Sequence, residues 1–261
     1  MSTTTGGGVQ SLHRSLDLVA VLEAAGAHGG HLPLAELAEA AGIPAATAHR
    51  LLRTLVERGY VRQRPDRRYA LGFRLVPLGS TATALLGEVA QGVLADLVDE
   101  LGETANLAVL AGPRAEYVAQ VPGRYAMRMF TQVGHRVALH CTGVGKALLA
   151  QLDDAAVAAV AAREGLSGHT AHTLTTLPAL RAALVLVRER GFAEDHQEQE
   201  LGVRCVAVPV GGAGVGMAVS VSGPLTRVTD DVVERAVPAL RAAAVRLVAG
   251  RGEDGTTPAR G

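Results

Sequence analysis

Two helix-forming segments separated by a short turn lie in the stretch Leu34-Ala-Glu-Leu-Ala-Glu-Ala-Ala-Gly-Ile-Pro-Ala-Ala-Thr-Ala-His-Arg-Leu-Leu-Arg-Thr-Leu-Val-Glu-Arg58. The second segment has apolar residues at three- and four-residue spacings, which is the pattern of an amphipathic helix. Gly42 allows the left-handed backbone of a sharp turn, and Pro44 suits the first turn of the next helix. Two helices joined in this way predict a helix-turn-helix motif.

Further elements flank this motif and complete a small domain. Upstream, the spacing of apolar residues predicts a helix that Ser11 would cap. Downstream, Gly59-Tyr-Val61 and Arg68-Tyr-Ala-Leu71 have the composition of two short strands around a turn at Pro65-Asp66. A basic hairpin directly after the third helix is a wing, so the sequence predicts a winged helix-turn-helix domain over residues 9–72.

The formal net charge of zero hides an asymmetry along the chain. Residues 1–80 hold nine arginines and six acidic residues, a balance of +3, whereas residues 81–261 hold 16 basic and 19 acidic residues, a balance of −3. Within residues 45–70 there are seven arginines and two acids. A basic patch on one small domain is expected of a protein that binds a polyanion. An ordinary solvated surface has the same composition, so charge alone leaves both interpretations open.

The order of the elements favours double-stranded DNA as the polyanion. In a winged helix-turn-helix domain, the third helix enters the major groove and the wing lies along phosphates or the minor groove. Arginine can bind guanine through two hydrogen bonds, and threonine or histidine can reach bases or phosphates. The outward positions of the third helix are Thr47, His49, Arg50 and Arg53. The wing arginines that suit phosphate contacts are Arg62, Arg64, Arg67 and Arg68.

The rest of the chain predicts a second, larger domain. Residues 73–92 have an apolar stripe typical of a linker helix, which would either pair with a second subunit or pack on its own domain. Residues 93–250 alternate predicted helices, beginning with Val93–Leu101, and strands, which is an α/β sensor arrangement. The expected fold class is therefore α+β, with a DNA-binding domain followed by an α/β domain.

The sequence also bears on the compartment in which the protein works. It has no unbroken run of about 18–20 apolar residues that would span a bilayer, and residues 1–8 lack the basic start and apolar core of a signal peptide. Residues 1–8 and 251–261 have the composition of disordered tails. Cys141 and Cys205 are too few for a disulfide scaffold and fit a reducing compartment. We expect a cytoplasmic protein without a membrane partner.

Motifs in both halves of the chain occur in a recognisable order. They include Gly42-Ile-Pro44, Thr47-Ala-His-Arg50-Leu-Leu52, Leu139-His140-Cys141-Thr-Gly143-Val-Gly145-Lys146, Gly191-Phe-Ala-Glu-Asp195-His-Gln-Glu198 and Ser220-Val-Ser222-Gly-Pro224. Over about residues 9–248 the chain resembles the isocitrate-lyase-regulator (IclR) family. The resemblance implies a transcriptional regulator, chiefly a repressor, with a GAF-like effector domain. It also implies a homodimer or dimer of dimers on a palindromic operator, and a small organic acid such as a 2-oxo acid as effector.

The resemblance further implies which residues bind that acid. The matching positions are Thr142, Gly143, Val144, Asp195, Cys205, Ser220 and Ser222. A glycine-containing loop at a helix N-terminus also offers backbone N–H groups to an anion. Each residue has an ordinary structural interpretation as well: Cys205 is a small apolar residue in a valine-rich strand, and the two serines can satisfy backbone groups where a strand ends.

Three other functions are compatible with parts of the sequence. An enzyme would pair Cys205 with His140 or His196, although nothing in the sequence marks either pair as adjacent. A protein-interaction module would need no small ligand. A metal sensor would draw its ligands from His135, His140, Cys141, His169, His172, Cys205 and Glu194-Asp-His196. No pair of these has the compact spacing of a structural zinc site, so we expect no bound metal. We also expect no cofactor and no catalytic activity.

Overall fold

The computed structural model describes residues 9–26, 30–126, 132–211 and 216–249. The chain forms two compact units, Met1–Ala82 and Thr83–Gly261. The division falls inside the stretch of residues 73–92 for which a linker was predicted. The predicted tails, residues 1–8 and 251–261, lie outside the described residues.

The first unit has the predicted order of helices and hairpin. Its elements are α1 (Gln10–Ala25), α2 (Leu34–Ala40), α3 (Ala45–Glu57), β1 (Val61–Gln63) and β2 (Tyr69–Leu71). The two strands pair antiparallel, with Val61 opposite Leu71. The buried residues at the centre of the unit come from all three helices and the hairpin: Leu18, Leu22, Leu37, Ala48, Leu52, Val61 and Tyr69. This confirms the winged helix-turn-helix fold.

Local details at the helix ends differ slightly from the sequence prediction. Ser11 lies inside α1, which begins one residue earlier after Val9, so its predicted capping role was wrong. Gly42 has a φ of 64°, the left-handed conformation that the turn between α2 and α3 was expected to need. Pro44 precedes α3 as its N-cap, one position before the first turn. The helix-turn-helix geometry is unaffected by these shifts.

A single long helix, α4 (Leu75–Leu101), replaces the two helices predicted for this part of the chain. The prediction ended the linker at residue 92 and began a new helix at Val93. The helix continues through Gly92 because apolar residues keep their three- and four-residue spacing on either side of it. Ala90, Leu94 and Leu97 lie on that buried stripe.

By length and composition alone, α4 is the one helix among the described residues that would be able to cross a membrane. The core helix of a soluble protein passes the same test. The carboxyl-terminal half of α4 is such a core helix. Its residues Val93, Leu94, Leu97 and Val98 belong to the core of the second unit.

The second unit is built on a six-stranded antiparallel sheet. Its strands are β3 (Thr104–Ala111), β4 (Arg114–Val121), β5 (Arg136–Ala138), β6 (Ala193–His196), β7 (Val203–Val210) and β8 (Met217–Pro224). Their order across the sheet is β5-β4-β3-β8-β7-β6. The two edge strands were not predicted, because β5 has three residues and β6 reads Ala-Glu-Asp-His, without the apolar pattern of a strand.

Helices cover both faces of this sheet, as the resemblance implied. The helices are α5 (Gly143–Leu149), α6 (Asp154–Glu164), α7 (Leu177–Arg190) and α8 (Asp230–Ala249), together with α4. One apolar core joins α4 and α8 to the sheet side that carries Leu107, Val206 and Val219. The other core joins α5, α6 and α7 to the opposite side, which carries Ala207 and Ala218. Polar residues lie at one end of this second side, beside the start of α5.

Candidate DNA-binding surface and effector site

Helix α3 presents a polar face to solvent. Ala48 and Leu52 are fully buried in the core of the first unit, and this fixes the opposite side of the helix as its outer face. His49, Arg50 and Arg53 are exposed on that outer side, and Thr47 is half-buried. The guanidinium of Arg53 lies 3.6 Å from the carboxylate of Glu57, an exposed pair that contributes little stability. Three of the four predicted residues of this helix are therefore exposed to solvent, and Thr47 is partly accessible.

The wing hairpin carries its arginines at or near its tip. Arg62, Arg67 and Arg68 are exposed and Arg64 is half-buried. Arg67 has a φ of 63°, and Asp66 Oδ1 accepts a hydrogen bond of 3.2 Å from the backbone N–H of Arg68, so the tip is a tight turn. Arg64 Nε lies 3.6 Å from Asp66 Oδ1.

Strand register brings together the predicted effector residues of the sheet. Asp195 on β6 is paired with Cys205 on β7, and Cys205 is paired with Ser222 on β8. Directly paired residues of antiparallel strands have their side chains on the same face of the sheet. Ser220, two residues before Ser222, is on this face too, opposite Asn106 of β3. Four of the seven predicted residues therefore line one polar patch.

The three remaining predicted residues lie where α5 begins. The closest is Gly143, where a Cβ atom would lie 2.8 Å from the Cys205 sulfur. Thr142 is the N-cap of α5: its Oγ1 accepts from the backbone N–H of Gly145 at 3.1 Å and donates to the Ala138 carbonyl at 2.7 Å. Val144 is fully buried in the apolar core. The Thr142 side chain therefore caps α5 and the Val144 side chain packs in the core, while the Val144 backbone N–H faces the Cys205 sulfur and Gly143 brings the helix onto the sheet.

A buried ion pair between Lys146 and Glu198 lies beside this patch and was not predicted. Lys146 is the single lysine of the chain and projects from α5. Its Nζ donates a hydrogen bond to Glu198 Oε1, and both side chains are almost entirely buried. Asp195 Oδ1 accepts from the backbone N–H of Glu198 at 2.7 Å. A lone lysine within a run of small and apolar residues was the sequence signal that would have pointed to a buried cation.

Burial controls the protonation of the acids and thiols of this region. It raises the pKa of Asp195 to about 6, so the carboxyl is partly protonated close to neutral pH. It also raises the pKa values of Cys205 and Cys141 to about 12, with the charge of Asp195 as a further cause. Both cysteines are therefore thiols at neutral pH, whereas a catalytic cysteine is activated by a lowered pKa.

Two buried oxygen atoms beside α5 have unused hydrogen-bonding capacity in the described structure. Glu198 Oε2 has no partner, and the Ser220 hydroxyl has the Cys205 thiol as its neighbour. Buried polar atoms are nearly always satisfied by protein, water or ligand. Water or a polar ligand would supply the missing partners, so this part of the domain has polar groups available for binding.

Comparison with known proteins identifies the family. The model of the IclR helix-turn-helix domain matches residues 11–65, and that of the bacterial transcriptional regulator IclR C-terminal domain matches residues 80–249. The chain belongs to the IclR family. It is 37% identical over 234 residues to the transcriptional repressor IclR of Escherichia coli, covering 87% of this chain and 84% of the relative. Members of this family regulate transcription and are not enzymes, and this chain is accordingly a DNA-binding transcriptional regulator.

Solved structures share the two-domain arrangement. A transcriptional regulator of Rhodococcus sp. RHA1 aligns with a TM-score of 0.62 and 32% identity, over 93% of this chain and 98% of that protein. An IclR homologue of Microbacterium hydrocarbonoxydans, solved with 4-hydroxybenzoate, aligns with a TM-score of 0.59 and 24% identity, over 92% of this chain and 98% of its own. The similarity to the Microbacterium structure shows that this chain and that protein share a fold.

A cavity of about 230 Å³ lies close to the polar patch of this IclR-family domain. Leu139, His140, His169 and Gln199 are among the residues that line it. Among the described residues, none of the seven predicted effector residues lines this cavity. Gln199 connects the two regions, because the Cys141 thiol donates to its Oε1 at 2.9 Å and its backbone N–H lies 3.4 Å from Asp195 Oδ1.

The structure also bears on the alternative functions considered from sequence. His196 is exposed and follows the buried Asp195 on β6, so it lies on the other side of the strand from Cys205 and cannot serve as its base. Of the candidate metal ligands, His140, Cys141 and His169 come together, with their ligand atoms within 4.8 Å of one another. They are the one such group found among the described residues.

Proposed function

We propose that this protein binds a palindromic operator as a homodimer, or as a dimer of dimers, and represses transcription under the control of a small organic acid. The observation that carries the effector proposal is the strand register that puts Asp195, Cys205 and Ser222 on one face of the sheet, against which α5 packs closely at Gly143. Because its partner in this proposal is DNA, we place the protein in the cytoplasm.

In this proposal α3 reads bases and the wing binds phosphates. Thr47, His49 and Arg50 lie near the amino-terminal end of α3, where recognition helices contact base edges. Phosphate contacts come from the remaining arginines of the predicted set: Arg53, Arg62, Arg64, Arg67 and Arg68. Each phosphate contact releases counterions from DNA, so it steepens the dependence of affinity on salt.

Exposed apolar side chains on two helices support dimerisation. Val9, Leu12 and Leu16 are exposed at the start of α1. Leu78, Leu85 and Val89 are exposed along α4, at spacings of seven and four residues that put them on one side of the helix. Apolar stripes of this kind mark protein interfaces, and a two-fold dimer accounts for a palindromic operator.

In this proposal the effector site is formed by the sheet patch together with Thr142, Gly143 and Val144 at the start of α5. Asp195, Cys205, Ser220 and Ser222 provide polar side chains, and the close approach of α5 at Gly143 favours a small molecule. Lys146 contributes one positive charge, whereas Glu198 and ionised Asp195 contribute two negative charges. An organic anion is therefore favoured when Asp195 is protonated. The same fold holds 4-hydroxybenzoate in the Microbacterium homologue.

Substitution of Arg50 tests the base-reading role of α3. In Arg50→Ala the affinity for an operator duplex is expected to weaken by about 1–3 kcal/mol, roughly 5- to 150-fold, with relaxed preference at the base pair it contacts. Fluorescence anisotropy with labelled duplexes measures this loss. Arg163→Ala removes the same charge from α6 in the second unit and should leave operator affinity unchanged. Equal operator affinities for Arg50→Ala and the unsubstituted protein would remove Arg50 from the reading set.

Substitution of Asp195 tests the effector site through its pH dependence. Affinity for an organic anion is expected to fall as pH rises through about 6, because ionised Asp195 repels the anion and the neutral carboxyl can donate to it. Above that pH the loss approaches about tenfold per unit. In Asp195→Asn this dependence should disappear, while the amide oxygen of the new side chain can still accept from the N–H of Glu198. Calorimetric titration with small 2-oxo acids and 4-hydroxybenzoate, from about pH 5 to 8, measures both profiles.

The control for this experiment is Asp231→Asn, which neutralises an exposed acid at the start of α8. It should keep the unsubstituted pH profile. A pH slope that survives unchanged in Asp195→Asn would contradict the assignment of Asp195. Loss of acid-free operator binding in the same variant would point to misfolding, which circular dichroism would reveal.

A further inference from the structure

Three side chains with metal-binding chemistry meet outside the proposed effector set. His140 and Cys141 directly precede the N-cap of α5, and His169 lies in the loop between α6 and α7. Their ligand atoms lie within 4.8 Å of one another, and the two imidazole ring centres are 6.1 Å apart. Ligand atoms that share one tetrahedral zinc ion lie roughly 3–4 Å apart. Side-chain shifts of roughly 1 Å would therefore bring all three onto one ion.

Hydrogen bonds already orient the members of this His–Cys–His cluster. His140 Nε2 lies 3.0 Å from the Ser167 carbonyl oxygen. When its N–H donates to this carbonyl, Nδ1 carries the lone pair, and a carbonyl partner of this kind is typical of metal-binding histidines. The loop that carries His169 is held by Thr173, whose Oγ1 accepts from the backbone N–H of His169 at 3.0 Å and donates to the Glu198 carbonyl at 2.6 Å.

The cluster borders the cavity, which leaves room for a further ligand. His140 and His169 line the cavity of about 230 Å³, while Cys141 is fully buried and is not part of the cavity wall. Three protein ligands with an open fourth position are the arrangement of a zinc site that also binds water or an exogenous molecule. The ion would displace the thiol proton of Cys141 on binding. The resulting set of two imidazoles and one thiolate favours zinc-class ions over magnesium or calcium, which prefer oxygen.

We propose that His140, Cys141 and His169 bind a divalent zinc-class ion whose open position faces this cavity. Such an ion would join the segment before α5 to the loop between α6 and α7. The loop that carries His169 contacts residues 197 and 198, because Thr170 Oγ1 donates to the Gln197 carbonyl at 2.6 Å and Thr173 Oγ1 donates to the Glu198 carbonyl at 2.6 Å. Cys141 Sγ lies 2.9 Å from the Gln199 side-chain amide, whose N–H would donate to the metal-bound thiolate once the thiol proton is lost. The ion would therefore brace the loop that holds Asp195 and Glu198. The site does not depend on which acid is the effector or on the operator.

Metal titration of the full-length chain tests the proposal. The protein is stripped with a chelator under reducing conditions and titrated with Zn²⁺ against a chromophoric competitor, and separately with Co²⁺. We expect one ion per chain, a higher thermal midpoint with Zn²⁺ because the ion binds the folded state, and the near-ultraviolet charge-transfer band of a cobalt–thiolate bond. His169→Ala should weaken Zn²⁺ binding by at least about tenfold. Since His169 is exposed, its removal leaves the core intact.

Matched variants separate this site from adventitious binding. Cys141→Ser should abolish the cobalt–thiolate band, whereas Cys205→Ser, which removes the other cysteine of the chain, should keep it. His172→Ala alters an exposed histidine of the same loop and should bind Zn²⁺ as the unsubstituted protein does. Absence of stoichiometric Zn²⁺ binding would overturn the proposal. Equal affinity in His169→Ala and His172→Ala, or a cobalt band that follows Cys205, would overturn it too.

Discussion

In Lys146→Ala the free energy of unfolding is expected to fall by about 3–5 kcal/mol, because Glu198 keeps a buried carboxylate without its cation. Both side chains of the pair are almost entirely buried, at 5% and 11% exposure. Removing the lysine also leaves Glu198 with neither oxygen bonded by a described side chain, since Oε2 already has no partner. Urea unfolding followed by circular dichroism measures the loss.

Two further variants make this prediction specific to an unpaired buried charge. The double variant Lys146→Met with Glu198→Leu should recover much of the stability, because it removes both charges and keeps apolar volume. Asp96→Ala breaks an ion pair with Arg246 whose side chains are 60% and 55% exposed, and should cost less than about 1 kcal/mol. A Lys146→Ala protein as stable as Asp96→Ala would contradict the buried pair.

In Gly145→Ala the second unit is expected to lose about 3 kcal/mol of stability or more, through overpacking. A Cβ atom at this position would overlap the Leu139 carbonyl oxygen and would lie 2.5 Å from both the Leu139 Cα and Thr142 Oγ1. Two of these three atoms are backbone, so rotation of a side chain cannot relieve the contact. The start of α5 must move away from the preceding segment, which also displaces the Thr142 cap and Gly143.

The matched control for Gly145→Ala is another glycine-to-alanine change inside a helix. Gly92 lies within α4, and a Cβ atom added there would have no atom within 4 Å outside its own helix turn. Gly92→Ala should raise stability by about 0.5–1 kcal/mol, since alanine is the better helix former. Thermal unfolding of both variants gives the comparison. If Gly145→Ala unfolded at the temperature of Gly92→Ala, the close approach at the start of α5 would be wrong.

Local sequence signals were sufficient for the DNA-binding domain and insufficient for parts of the sheet. The spacing of Ala48 and Leu52, the glycine at position 42 and the arginine-rich hairpin each act within a few residues, so they could be recognised in the sequence. The division into a linker helix ending at residue 92 and a second helix beginning at Val93 was wrong, because apolar spacing continues across that boundary. Strand β6 was missed because its pairing with β7 stabilises a polar segment that has little strand preference of its own.

Of the candidate site, the sequence predicted only the residues that belong to a family motif. The family motifs supplied Asp195, Cys205 and the two serines, and strand register places them on one face. They did not supply the partner of Lys146, because Glu198 is 52 residues away in sequence and reaches it through the fold. The approach of His169 to His140 and Cys141 likewise depends on the path of a loop between two helices, which no local pattern encodes.

The most direct test of the account is acid-dependent, sequence-specific binding to DNA. Fragments of the source genome are selected on the full-length protein, and the recovered duplex is compared with a scrambled duplex of equal length by fluorescence anisotropy at two salt concentrations, with and without a panel of small organic acids. We predict a preference for the selected duplex of about 10³-fold or more, which at least one acid changes in the unsubstituted protein. Equal, weak binding to both duplexes that vanishes at the higher salt concentration would contradict the account.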